Sequence, residues 1–230
     1  LYSVLIESSG YLFISILGVL FLRIDQLMVQ YLLDYEQLGY FGLSIRFTDI
    51  LFLLPVIFAK TIFPLMIEKS KDEMAYNKFL KDIFIASVWI STIIIMITLI
   101  LGKFIINNYF SDTSFINSYY VLVIYIWALI PYFYNQITYR WLMINNKIKS
   151  NLIRLICSLM VNFLMNLILI PKYGIYGSAT ATLFSFIFLS FIMDLTFANS
   201  RKLFFIKCQS LNPFNFIYFL KSTKNFLNEK

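Results

Sequence analysis

A chain of 230 residues that is 60% hydrophobic and only 13% charged, with a mean hydropathy of +0.77, is far from a soluble domain, which averages about 45–50% apolar and about 25% charged residues. It reads as an integral membrane protein. The net charge of +7 does not point to nucleic acid, because most Lys and Arg fall in short connections and in the tail, where they orient a membrane protein; the lack of histidine excludes Ser-His-Asp and Cys-His catalysis and His-based zinc sites.

Crossing about 30 Å of hydrocarbon takes roughly 20 helical residues, and six runs qualify: 10–33, 40–66, 83–101, 119–144, 155–170 and 175–198. The chain starts at Leu1 and opens almost directly into the first run, without a short apolar segment and small-residue cleavage site. It is therefore expected to be the C-terminal part of a longer protein, without a cleaved signal peptide. The first run ends at Asp34 and Glu36; the second is interrupted by Arg46, Asp49, Pro55, Lys60 and Pro64; the third is free of charge. Cys157 and Cys208 fall in a membrane run and in the tail, and neither suggests a disulfide or a metal site. No cofactor is expected.

Basic residues alternate between heavy and light connections. Lys69, Lys71, Lys78 and Lys81 lie in 67–82, whereas 102–118 has only Lys103. Lys147, Lys149 and Arg154 lie in 145–154, 171–174 has only Lys172, and the tail carries Arg201, Lys202, Lys207, Lys221, Lys224 and Lys230. The positive-inside rule then requires an even number of spans with both termini cytoplasmic. Residues 201–230 read as a basic and aromatic cytoplasmic tail. Asn212 and Pro213 mark a helix start in it, either an interfacial helix on anionic lipid or a solvated end.

Four charges lie deep in the first two runs. At 1.5 Å per residue, Arg23 and Asp25 are roughly 15 and 12 Å from the outer side, and Arg46 and Asp49 roughly 9 and 13 Å. In an antiparallel hairpin they share one level, and pairing Arg23 with Asp49 and Asp25 with Arg46 leaves the fewest bare charges. Ionisable groups at that depth are costly and mark function by default. The quartet reads as the wall of a wet cavity, or as a lock on the hairpin.

Lys60 and Arg140 fall near the cytoplasmic headgroups, where they snorkel or form a cationic vestibule for an anionic lipid headgroup. Ser158, Asn162 and Asn166, four residues apart, make a polar seam for interhelical hydrogen bonds or cavity lining. Gly177 and Ala181 make a small-residue packing face, and Asp194 reads as a shallow interfacial carboxylate. The candidate substrate-binding or cavity-lining set is therefore Arg23, Asp25, Arg46, Asp49, Lys60, Arg140, Asn162 and Asn166.

"RIDQLMVQYLLDYEQLGYFGLSIRFTDI" (23–50), "LPVIFAKTIFPLM" (54–66) and "VNFLMNLILIPKYGIYGSATATLFS" (161–185) resemble polysaccharide flippases of the Wzx type, within the MOP exporter superfamily. The likeness covers roughly residues 5 to 200. It implies an all-α fold of six transmembrane helices, the second lobe of a two-lobe MOP/MATE-like transporter related to the first by an axis along the membrane normal. The implied activity is translocation of polyprenyl-diphosphate-linked oligosaccharide across the bacterial inner membrane for surface polysaccharide such as O-antigen or capsule. The implied partners are that lipid-linked glycan, membrane lipid, an N-terminal lobe of the same chain and polysaccharide polymerase machinery. One departure stands out: Asp25 and Asp49 accompany Arg23 and Arg46 where the family's cavity is cationic. The alternatives are a multidrug or small-molecule exporter, which would use carboxylates for cationic substrates, a membrane polymerase or glycosyltransferase, and a lipid-binding scaffold. Against an enzyme, the outer connections are short, and 102–118 offers Asp112 as its one carboxylate.

Overall fold

A computed structural model describes residues 2–109, 115–197 and 200–215. The described chain is helical: α1 (Tyr2–Leu32), α2 (Tyr35–Lys69), α3 (Glu73–Tyr109), α4 (Ile116–Tyr125), α5 (Leu129–Ile144), α6 (Ile148–Ile187), α7 (Met193–Thr196) and α8 (Arg201–Ser210). A 3₁₀ turn over Ile126–Ala128 continues α4 into α5, and a π-helical segment over Phe188–Ile192 joins α6 to α7. Among the described residues, five helical stretches are long and apolar enough to cross a membrane: Leu12–Leu32, Tyr35–Lys69, Glu73–Ile106, Ile116–Ile144 and Ile148–Thr196. This is a multi-pass membrane protein.

The helices outrun the apolar runs read from sequence. Only residues 70–72 separate α2 from α3, so Lys69 ends one helix and Lys78 and Lys81 ride on the next. Charged side chains at the membrane surface find water without leaving the helix, and hydropathy therefore understates helix length. Helix α2 starts where the sequence supplies a cap: the Asp34 carboxylate accepts from the Gln37 backbone N–H at 2.7 Å, satisfying one of the first turn's unpaired donors.

The long stretch Ile148–Thr196 is not one rod. Gly174 has φ +59° and ψ −139°, which breaks the helical path and suits glycine alone. A Cβ on Gly177 would lie 2.2 Å from the Leu169 carbonyl oxygen, although the two are eight residues apart in sequence. The chain therefore doubles back at Gly174, and residues at equal distances on either side face one another. Gln37 Oε1 lies 3.0 Å from where a Cβ on Gly174 would be, so this reversal adjoins the α1–α2 turn at the same end of the bundle.

An aromatic knot ties four helices. Phe52 stacks on Tyr132 at 4.6 Å, and Phe21 meets Phe186 edge-on at 4.8 Å. These rings join α1, α2, α5 and α6 in the main core. A second cluster with Met66, Tyr76, Phe84, Tyr134, Trp141 and Leu203 clamps α8 onto α2, α3 and α5. Leu12, Ile50, Ile93 and Ile168 are exposed, as lipid-facing side chains are.

Asp194 is fully buried, which corrects the expectation of a shallow carboxylate. It is ion-paired with Arg154, and its Oδ2 accepts from Lys207 Nζ at 2.6 Å; all three side chains have no exposure. The π-helical segment frees carbonyls that complete the cluster: Leu189 O accepts from Arg154 Nη2 at 2.9 Å and Ser190 O from Lys207 Nζ at 2.8 Å. Burial pushes the Lys207 ammonium down to about 8, against the pull of Asp194. The tail thus begins with a docked helix rather than a free basic segment. The putting-down of α8 also involves Tyr134, whose hydroxyl shares a hydrogen bond of 2.6 Å with Ser210. Most of 212–227, expected as either an interfacial helix or a solvated end, lies outside the described residues.

Removing the carboxylate strands two buried cations, whereas removing Lys207 leaves a neutral pair. Asp194→Asn should therefore cost about 3–5 kcal/mol and Lys207→Met far less, measured by thermal unfolding in detergent. The reverse order would show that the cluster does not hold this end of the bundle.

Candidate functional site

The four deep charges of α1 and α2 separate into two environments. Arg23 Nη1 meets Asp49 Oδ2 at 2.9 Å, as the spacing predicts, with the side chains 45% and 34% exposed. The second expected pair does not form. Asp25 is fully buried and accepts from Asn166 Nδ2 at 2.8 Å and from the Thr182 hydroxyl. Helical geometry gives the reason: two residues apart, Arg23 and Asp25 cannot share a face, so Arg23 faces outward and Asp25 turns into the α6 hairpin.

Asn166 Nδ2 also donates to Asn162 Oδ1 at 3.0 Å, and Ser158, Asn162 and Asn166 all have no exposure. Asp25, Asn162 and Asn166 are enclosed between α1 and the two arms of α6, and of the two readings of the polar seam the Asn166–Asp25 contact is the interhelical hydrogen bond. Thr182 is the partner that sequence reading missed. It and Asn166 each lie eight residues from Gly174, a register that the reversal alone reveals. Among the described residues no group of three or more His, Cys, Asp or Glu comes together. Asn166 and Thr182 both turn donors toward the Asp25 carboxylate, an arrangement that holds a buried acceptor without a counter-charge.

Arg46 remains on the outer side of the α1–α2 hairpin, exposed and without an ion-pair partner among the described residues. With Arg23, Gln26, Gln30 and Gly42 it lines an open groove of about 360 Å³, and a contiguous one of about 410 Å³ runs past Gly39 and Phe115. A Cβ at Gly39 or Gly42 would meet nothing within 4 Å, so these glycines leave room rather than permit close packing. Lys60 is exposed on the same helix. Arg140 is half-buried, its guanidinium 5.5 Å from the Phe63 ring centre and 5.1 Å from that of Tyr139, with the Met143 sulfur accepting at 3.5 Å. Arg140 thus reaches α2 one turn beyond Lys60.

With Asp25 withdrawn, Asp49 is the single carboxylate opposing Arg23, Arg46, Lys60 and Arg140 in the candidate set. These residues together carry a net positive charge, and Arg23 and Arg46 share one groove. A further cavity of about 370 Å³ lies among α1, α2, α5 and α6, lined in part by Tyr132, Asn135, Gln136, Tyr139 and Asn151.

No family model matches the sequence, and no curated protein is significantly similar to it. The fold is similar to that of a MOP superfamily transporter from Pyrococcus furiosus, with a TM-score of 0.70 and 16% identity over 84% of this chain and 44% of that one. It is also similar to the lipid II flippase MurJ in an inward closed conformation, with a TM-score of 0.61 and 21% identity over 94% of this chain and 45% of that one. The chain spans under half the length of both, and its fold is similar to the part of each that it covers.

The two environments make a testable contrast. Arg23→Ala removes a half-exposed pair and should shift stability by less than about 1 kcal/mol. Asp25→Asn removes a buried carboxylate that has no counter-charge while keeping an acceptor for Thr182, so thermal stability in detergent should hold or rise. A clear fall with Asp25→Asn would make that carboxylate a structural lock.

Proposed function

We propose that this chain is the C-terminal lobe of a polysaccharide flippase of the Wzx type. In that reading it moves polyprenyl-diphosphate-linked oligosaccharide repeat units from the inner to the outer leaflet of the bacterial inner membrane. The observation that carries the reading is the surplus of cations on α1, α2 and α5: Arg23, Arg46, Lys60 and Arg140 against Asp49, with Arg23 and Arg46 lining one groove.

A diphosphate and its sugars cannot cross hydrocarbon unaided, because their polar groups lose their hydrogen bonds there. A cationic cleft between two lobes supplies replacement partners while the lipid tail stays in the bilayer, and alternating access follows from rocking one lobe against the other. Lys60 and Arg140, at the cytoplasmic headgroup level, receive the diphosphate. Arg46 and Arg23 meet it near mid-membrane, Arg through bidentate contacts to phosphate. Counting the two arms of α6 as separate crossings gives six spans, with both termini cytoplasmic under the charge distribution. Asp25 accepts a proton or cation if movement is ion-coupled. Polymerase machinery for O-antigen or capsule receives the flipped unit outside.

An exporter of cationic drugs would place carboxylates on the exposed face. Here one aspartate is inside the lobe and the other is paired with Arg23, which favours an anionic substrate.

The full-length protein, placed in a bacterium lacking its own polysaccharide flippase and supplied with the matching repeat unit, should restore polymer at the cell surface. Arg46→Ala should reduce that polymer by at least about tenfold at equal protein level, and Arg46→Lys by less, since a point charge is kept and the fork is lost. Full rescue by Arg46→Ala would remove the Arg23 and Arg46 groove from the translocation path.

A further inference from the structure

The cavity of about 370 Å³ among α1, α2, α5 and α6 has a chemistry unlike that of the Arg23 and Arg46 groove. None of the described residues lining it is charged. Its polar groups are the amides of Asn135, Gln136 and Asn151, the phenols of Tyr132 and Tyr139 and the Ser15 hydroxyl, set among aliphatic side chains, Phe21 and Phe186. Asn135 Oδ1 itself is buried behind the wall without a hydrogen-bond partner among the described residues, and Tyr132 and Gln136 are hydrogen-bonded to each other, so the wall is a neutral polar network.

We propose that this cavity is a recognition subsite for an uncharged sugar residue of the lipid-linked glycan, which rests on the flippase reading above. A phosphate site would need cations, a cationic-drug site carboxylates, and an acyl-chain groove would not carry three amides. A carboxamide offers two donors and an acceptor, which matches adjacent sugar hydroxyls, each both donor and acceptor. Aromatic rings cover the apolar C–H faces of a pyranose. The volume lies at the small end of ligand sites, about 300–1,000 Å³, and suits a short neutral moiety rather than a whole repeat unit.

Placement along the chain agrees. Leu22 lines the cavity and Arg23 the outer groove. Val56 lines it one helical turn before Lys60, and Tyr139 immediately before Arg140. The neutral subsite is therefore bracketed by the cations: the diphosphate sits on Lys60 and Arg140 while an attached sugar reaches inward between α1 and α5. Gln136 and Asn135 decide which sugar is accepted, and the arginines hold whatever carries the phosphates.

Binding of two probes to the full-length protein in lipid nanodiscs tests this: bare polyprenyl diphosphate, and the same lipid carrying repeat units extracted from the cells that make the protein. The wild type should bind the glycan-bearing lipid about tenfold more tightly, a difference of about 1.4 kcal/mol. The Asn135→Leu, Gln136→Leu double variant should lose that preference and keep its affinity for bare polyprenyl diphosphate, which also reports that it is folded. Gly18→Leu fills the cavity from α1, where a Cβ would meet nothing within 4 Å, and should have the same effect. A preference that survives both variants, or a wild type that binds the two lipids equally, overturns the sugar subsite and leaves the flippase reading standing. Loss of bare-lipid binding in both variants at unchanged thermal stability in detergent would assign the cavity to the lipid chain instead, and a wild type that binds neither lipid overturns both proposals.

Discussion

The reversal at Gly174 is the constraint from which the rest of the lobe follows. A positive φ at Gly174 and the contact of Gly177 with the Leu169 carbonyl fix the register of two helical arms to within one residue, because any Cβ at Gly177 would collide with backbone. That register decides which side chains meet. Asn166 and Thr182, eight residues to either side, converge on Asp25; Arg154 and Asp194, twenty to either side, form a buried ion pair. Neither meeting involves neighbours in sequence, and both depend on the same turn.

The molecule treats its charges in two ways, and hydrocarbon explains the difference. At the junction of α7 and α8 Asp194 lies between Arg154 and Lys207, with the carbonyls of Leu189 and Ser190 taking further donors. A cluster so closed has nothing left to offer a ligand. On the α1–α2 face Arg46 is open, Arg23 is half-exposed in its pair with Asp49, and glycines hold the groove clear. Groups left that way inside a membrane protein require water or a ligand, since lipid tails satisfy neither. The same lobe therefore contains a charged lock and a charged surface, separated by the aromatic knot of Phe21, Phe52, Tyr132 and Phe186.

Much was legible from residue order alone. Long apolar runs announced the membrane helices, and three-residue and two-residue spacings separated Arg46 and Asp49 from Arg23 and Asp25. The Arg23–Asp49 contact followed from hairpin depth. Asp25 did not, because the choice between Arg46 across the hairpin and Asn166 on a distant helix is made by the side of α1 on which each residue falls relative to α6. Arg154 and Lys207 were counted as topological cations, and Asp194 as superficial, because a position near the end of an apolar run gives depth along the membrane normal but not enclosure by neighbours. The same limit hid Asn135, Gln136 and Asn151: one amide in a membrane helix is unremarkable, and three around one cavity become visible when α1, α5 and α6 are brought together.

The sequence by itself determined that this chain lives in a membrane, which of its stretches are apolar and which connections carry the positive charge. Those properties depend on composition along the chain, which is local. Tertiary structure alone decided which charges are spent on the fold and which remain open, since that depends on contacts across more than a hundred residues, such as Asn166 with Asp25. Burial, unlike composition, is a property of neighbours.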